Sequence, residues 1–175
     1  FIQSLPAHLF QQVLIEKLTL SSNRISSALI VESAFDGPLT KSLKVLDLSY
    51  NLIDNFPSAL KSLHALQQLL LKNNRIKQID SDAFHNCART LEVLDLSQNL
   101  IEQIPKQALN VLKNLIKINL HDNIISSISD DDLSGWCQQL RSFSVSPRLL
   151  TVAPHAFRAC KELKELRLGG NQLLH

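Results

Sequence analysis

The stretch Leu43-Lys44-Val45-Leu46-Asp47-Leu48-Ser49-Tyr50-Asn51-Leu52-Ile53 returns almost unchanged as Leu91-Glu92-Val93-Leu94-Asp95-Leu96-Ser97-Gln98-Asn99-Leu100-Ile101. Both read Leu-x-x-Leu-x-Leu-x-x-Asn-x-Ile. Looser copies begin at Ile15, Leu66, Leu115, Leu140 and Leu163, so seven such motifs run through the 175 residues. Their asparagine position holds Asn23, Asn51, Asn74, Asn99, Asn123, Arg148 and Asn171, at intervals of 28, 23, 25, 24, 25 and 23 residues. A self-similar unit of this length marks a solenoid, in which each unit contacts only its neighbours.

Each position of the unit has a mechanical task. In Leu-x-x-Leu-x-Leu the period of two sends the leucines to one side of a short strand and the intervening residues to the other. One coil cannot bury its leucines alone; stacked coils pair their strands in parallel and fuse the leucines into one core. The asparagine amide carries donors and an acceptor, so it satisfies turn groups that the coil geometry buries. A second register follows eight to eleven residues later in Ala34-Phe35, Ala59-Leu60, Ala83-Phe84, Ala108-Leu109, Asp132-Leu133 and Ala156-Phe157. These pairs predict a short helix or 3-10 turn with the large member inward. The fold class expected is α/β: a curved solenoid with a parallel sheet on its concave face and short helices, 3-10 turns or loops on its convex face.

The complete unit, seen in Asn74 through Ile76, Ile79 and Phe84, resembles the typical class of leucine-rich repeat found in animal cell-surface and secreted proteins such as Toll-like receptors, Slit and chaoptin-like adhesion proteins. The resemblance covers nearly the whole chain. It implies a non-enzymatic protein-binding module from the ectodomain of a cell-surface receptor or adhesion protein, located outside the cell or at its surface. Two other readings stay open, a cytosolic scaffold or adaptor and a lipid or glycan pattern-recognition module. One Tyr and one Trp are few for an aromatic platform. The chain reads as a single array, 1–175, cut from a longer one. Residues 1–14 form the rear half of a preceding repeat, repeats start at 15, 43, 66, 91, 115 and 140, and 163–175 is a partial last repeat. Neither end shows the cysteine cluster that caps extracellular arrays of this class.

Composition narrows the function classes. Eighteen Lys and Arg against sixteen Asp and Glu are interspersed, giving a net charge of +2 and no basic stripe for nucleic acid. No apolar run reaches the roughly 18 residues of a membrane span. None of the twelve asparagines has Ser or Thr two residues later, so the chain carries no N-glycosylation sequon. His8, His64, His85, His121, His155 and His175 fall in different coils without metal-ligand or nucleophile spacing. Asp130-Asp131-Asp132 follows Ser129 in a capping pattern rather than a calcium pattern. Gly169-Gly170-Asn171 is a strand end rather than a phosphate loop. No catalytic residue, metal site or cofactor is therefore expected. Cys87, Cys137 and Cys160 stand three or four residues before a repeat's first leucine, facing the core. The favoured reading is of buried small apolar side chains, at least one of them free and slow to react. A disulfide between Cys137 and Cys160, in adjacent coils, is the alternative.

Function then belongs to the outward positions of the concave strands. Counting the first leucine as position one, the candidate partner-binding residues are Val45, Asp47, Tyr50, Leu70, Lys72, Asn73, Val93, Asp95, Gln98, Asn119, His121 and Asp122. Apolar anchors among mixed charges suit a protein ligand or co-receptor. A second surface, the stripe of Leu52, Leu100, Ile124 and Leu149 just after the asparagine, suits a homodimer seam or a docking domain unless it is tucked under the turn. Two irregularities carry their own expectations. The long first interval places an insertion between Ile25 and Leu43, around Gly37-Pro38, on the convex side. In the sixth copy Arg148 replaces the asparagine beside Pro147, so that turn should bulge with the guanidinium in solvent while the strand from Ser142 survives.

Overall fold

The computed structural model describes residues 1–145 and 147–169; Ser146, Gly170 and Asn171 lie outside them. The leucine motifs form short parallel strands, β1 (Lys17–Thr19), β2 (Val45–Asp47), β3 (Gln68–Leu70), β4 (Val93–Asp95), β5 (Lys117–Leu120), β7 (Ser142–Val145) and β9 (Glu165–Arg167), paired in that order in one sheet. The register stacks like on like: Leu18, Leu46, Leu69, Leu94, Ile118, Phe143 and Leu166 are successive partners. Because the side-chain period is two, this register sends every leucine row to the same side. Leu46, Leu48, Leu69, Leu71, Leu94 and Leu96 are at most 1% exposed. A continuous apolar core runs from Leu5 to Cys160. Residues 1–14 pack on the first coil, with Leu5 buried and Phe10 stacked on Phe35 at 5.7 Å.

The asparagines form the expected ladder. Asn51 Nδ2 donates to Leu20 O at 3.0 Å, Leu48 O at 3.0 Å and Ser49 O at 3.2 Å, and its Oδ1 accepts the Ile25 N–H at 3.0 Å. Asn74, Asn99 and Asn123 repeat the same bonds, each tying its own strand end to the coil before it. The residue just before each rung, Ser22, Tyr50, Asn73, Gln98 or Asp122, takes a left-handed backbone with φ between 53° and 58°. That left-handed residue turns the chain so that the asparagine points back into the coil.

The convex side carries the second register. Ala34, Phe35, Ala59, Leu60, Ala83, Phe84, Ala108 and Leu109 are all buried, so the small member faces inward as well as the large one. Helices α1 (Leu39–Ser42) and α2 (Lys106–Leu109) and several 3-10 turns make this side. The surplus of the first interval is absorbed by a 3-10 turn at Ser27–Leu29 and by α1, leaving β2 regular. Gly37 has φ of 102°, and a Cβ there would lie 2.8 Å from Gln11 O.

The sixth coil departs from the sequence reading. Arg148 is exposed, as expected. Leu149 is fully buried and Leu150 is 42% exposed. Strand β6 (Ser127–Ile128) pairs with β8 (Thr151–Val152) in a second small sheet, Ser127 opposite Thr151, which aligns Leu149 with Ile125 and Arg148 with Ile124. Since β5 and β7 align Leu120 with Val145, the sixth coil has one residue fewer between Val145 and Leu149 than the fifth has between Leu120 and Ile125. Pro147 lies in that shortened stretch, and proline fixes φ near −65°, away from the left-handed backbone that precedes Asn23, Asn51, Asn74, Asn99 and Asn123.

The cysteines divide between the two readings: the expected free, buried thiol is Cys87, while the other two take the alternative. Cys137 and Cys160 form a disulfide with Cα atoms 4.9 Å apart, and Cys87 is free and buried. Adjacent coils bring equivalent convex positions within disulfide reach, the geometry on which the alternative reading rested.

Candidate protein-binding face

Two rows of side chains cross the concave sheet. The row at position three runs Lys17, Val45, Gln68, Val93, Lys117, Ser142, Glu165, and the row at position five runs Thr19, Asp47, Leu70, Asp95, Asn119, Ser144, Arg167. Leu70 is therefore flanked on its own row by Asp47 and Asp95. Val45 and Val93 sit one row away on the neighbouring strands, either side of Gln68. All three aliphatic side chains are half-buried although they point away from the leucine core. At the strand ends Lys72 places its Nζ 5.5 Å from the centre of the Tyr50 ring, and Tyr50 is 45% exposed. Tyr50 first, with Asp95 and Asp122 adding to it, holds the Lys72 ammonium above the ordinary lysine pKa. The result is a small apolar patch framed by two carboxylates and one cation.

The acids have a task of their own, which the sequence reading missed. Asp47 Oδ1 accepts the Ser49 N–H at 2.9 Å, and Asp95 Oδ1 accepts both the Ser97 N–H at 2.9 Å and the Ser97 hydroxyl at 2.6 Å. Asn119 Oδ1 accepts the His121 N–H at 3.1 Å. These bonds close a side-chain turn over the strand end, and they bury Ser49 and Ser97 to 5% and 3% exposure. The legible signal was the twice-written Asp-Leu-Ser, Asp47 to Ser49 and Asp95 to Ser97.

The remaining candidates line the lip beside the asparagine turns. Asn73 Nδ2 donates to Gln98 Oε1 at 3.2 Å, Gln98 Nε2 donates to Asp122 Oδ2 at 3.4 Å, and His121 Nε2 lies 3.4 Å from Asp122 Oδ1. Asn119 Nδ2 links inward to Asp95 Oδ2 at 3.4 Å. All twelve residues thus belong to one surface, with the apolar patch at its centre and a chain of amides along its lip. Beyond the lip an open groove of about 500 Å³ runs past Leu100 and Ile124 to Pro147 and Arg148. The apolar stripe there is shorter than the sequence suggested. Leu52, Leu100 and Ile124 lie on it, but Leu149 is core and Arg148 takes its place.

Among the described residues no group of three His, Cys, Asp or Glu side chains is placed to hold a metal ion. The Asp130–Asp132 run is used in the backbone: Asp132 Oδ2 accepts the Ser129 N–H at 2.6 Å and Asp130 Oδ1 accepts the His155 N–H of the next coil at 2.8 Å. No described helix is long and apolar enough to cross a membrane.

Comparison with known proteins agrees with this architecture. Residues 3–131 and 29–164 match the family described as "BspA type Leucine rich repeat region (6 copies)". The chain is 36% identical to leucine-rich repeat-containing G-protein coupled receptor 5 of Rattus norvegicus over 157 residues, 83% of this chain and 17% of that protein. It is 32% identical to lumican of Homo sapiens over 160 residues, 88% of this chain and 45% of that protein. It therefore spans less than half the length of either relative. A solved structure described as a "TLR13-ssRNA13 complex" superposes with a TM-score of 0.77 at 24% identity, covering 96% of this chain and 28% of that one, and shares the fold. Repeat motif, stacked parallel sheet, asparagine ladder and sequence relatives agree that this chain belongs to the leucine-rich repeat family.

Proposed function

We propose that this array is a non-enzymatic protein-binding module of a cell-surface receptor or adhesion protein, and that its partner docks on the concave face around Leu70. The observation that carries the reading is the patch of Val45, Leu70 and Val93, three aliphatic side chains standing away from the core on the most decorated strands. Interface centres pair such anchors with a polar rim. Asp47 and Asp95 beside Leu70 favour a partner that brings an apolar side chain flanked by Lys or Arg. The concave rows mix Lys17, Lys72, Lys117 and Arg167 with Asp47, Asp95 and Glu165, which is no track for a phosphate backbone. The Cys137–Cys160 disulfide supports an oxidising compartment over the cytosolic alternative. Similarity to a named receptor supports the receptor setting.

The test is binding of the labelled protein to cells of its own organism. Leu70→Glu places an unpaired charge in the contact and should lower binding at least roughly tenfold while the melting temperature holds. Asp95→Ala should weaken binding less at the interface but lower stability slightly, because its bonds to Ser97 are lost. Undiminished binding of folded Leu70→Glu would move the site to the stripe of Leu52, Leu100 and Ile124.

A further inference from the structure

We propose that the flank where the chain enters its strands is a binding edge for a sulfated glycan, held by Arg and Lys side chains that the fold gathers from four successive coils. Along the sequence those cations are interspersed with acids. Stacking collects them, because each coil enters its strand in register with the one before. Backbone bonds fix one row: the Ile116 N–H donates to Glu92 O at 2.8 Å, the Arg141 N–H to Ile116 O at 2.8 Å and the Lys164 N–H to Arg141 O at 2.9 Å. Glu92, Ile116, Arg141 and Lys164 therefore stand in line, roughly 4.8 Å apart from coil to coil. A second row, three residues earlier in each coil, holds Arg89, Lys113, Gln138 and Lys161. There Asn114 Nδ2 donates to Arg89 O at 2.8 Å, and Lys113 Nζ donates to Gly135 O, which ties the fourth, fifth and sixth coils together. Lys117, next to Ile116, completes the group.

The four stretches 88–93, 112–117, 137–142 and 160–165 hold six Lys and Arg against three Glu, a larger excess than the +2 of the whole chain. All six cations are exposed. One of the acids is engaged within the chain: Glu165 accepts the Ser142 hydroxyl at 2.7 Å and pairs with Arg167 at 2.6 Å. Chemistry then selects the occupant. A protein contact is centred on buried apolar anchors, and in the row of Arg141 and Lys164 the half-buried Ile116 is the one aliphatic member. A single-stranded nucleic acid is held by rings on which its bases stack, and the four stretches contain no Phe, Tyr or Trp. Exposed Lys and Arg at intervals along an edge suit a linear chain with anionic groups along its length, and the Arg fork takes an oxyanion through two N–H donors. The Cys137–Cys160 disulfide supports an oxidising compartment, where linear polyanions are sulfated glycans rather than nucleic acids.

Binding of the intact protein to immobilised heparin, to unsulfated hyaluronan and to a single-stranded oligothymidylate, at physiological ionic strength, tests this. Heparin should be bound, the other two at least roughly tenfold more weakly, and heparin affinity should fall steadily as salt rises. Arg141→Glu/Lys164→Glu reverses two adjacent charges of the row and should lower heparin affinity at least roughly tenfold. Arg75→Glu/Lys77→Glu makes the same change of net charge on the third coil, beyond its asparagine turn, and should leave heparin affinity within about twofold. All four side chains are exposed, so both double variants should melt as the native protein does. Should the charge-reversed pair not fold, Arg141→Gln/Lys164→Gln reads the same contact through a smaller loss. Leu70→Glu, on the concave face of the third coil, should bind heparin as the native protein does, which keeps this edge and the concave patch separately testable. Absence of heparin binding overturns the proposal, as does equal loss in the two charge-reversed variants. An oligothymidylate held as tightly as heparin also overturns it, in favour of nucleic acid.

Discussion

At the scale of single residues, the array depends on side chains that satisfy backbone groups. Asn99 makes four bonds inside the coil, three donated by its amide and one accepted from Ile76. A buried hydrogen bond is worth about 1 kcal/mol net, and a partner left unsatisfied costs more. Asn99→Ala should therefore lower unfolding stability by about 3–5 kcal/mol in urea titrations, and a loss under about 1 kcal/mol would show that the ladder is ornamental. Cys87 is a second case. Burial pushes its thiol up to about 11, so little thiolate exists near neutrality. At pH 8 its alkylation in the native protein should be roughly a hundredfold slower than in urea, and equal rates would place it on the surface.

At the scale of the element, each coil is a strand with fixed length and a convex return that varies. The extra residues of the first interval leave β2 in register because a strand cannot take an insertion without exchanging its two faces. They settle instead into the turns between Ile25 and Leu43, where Gly37 packs against the Gln11 backbone. Gly37→Ala meets both a left-handed φ and a 2.8 Å approach to a carbonyl oxygen, and should cost about 2–3 kcal/mol in thermal or urea melts. Gly169→Ala, with open space around the new Cβ, should cost under about 0.5 kcal/mol. Similar losses for the two would mean that the insertion does not pack on the preceding turn.

At the scale of the whole molecule, stability passes from coil to coil through nearest-neighbour contacts. Leu69→Glu sets a charge into the core shared by the second, third and fourth coils and should unfold the array by circular dichroism, whereas Leu18→Glu, half-buried in the first coil, should fray that end and leave the rest. Equal damage from both would contradict a stack of local interfaces. The fold was legible in the sequence because period-two leucines and a recurring asparagine are consequences of one geometry repeated, and each copy checks the others. The concave rows followed from that same alternation. The double task of Asp47 and Asp95 did not, since a carboxylate facing solvent and a carboxylate closing a turn are the same letter until the backbone N–H of Ser49 or Ser97 is placed beside it. The sixth coil was misaligned for a related reason: counting residues from the strand puts Arg148 at the rung, while packing, which prefers a leucine to an arginine in the core, draws Leu149 inward and leaves Arg148 on the lip. So the sequence by itself determined the repeat, the sheet, the core and the two surfaces, all set by local periodicity. Tertiary structure alone decided which cysteines bond and which of Arg148 and Leu149 faces the core, because both depend on which side chains neighbouring coils bring within a few ångströms of each other.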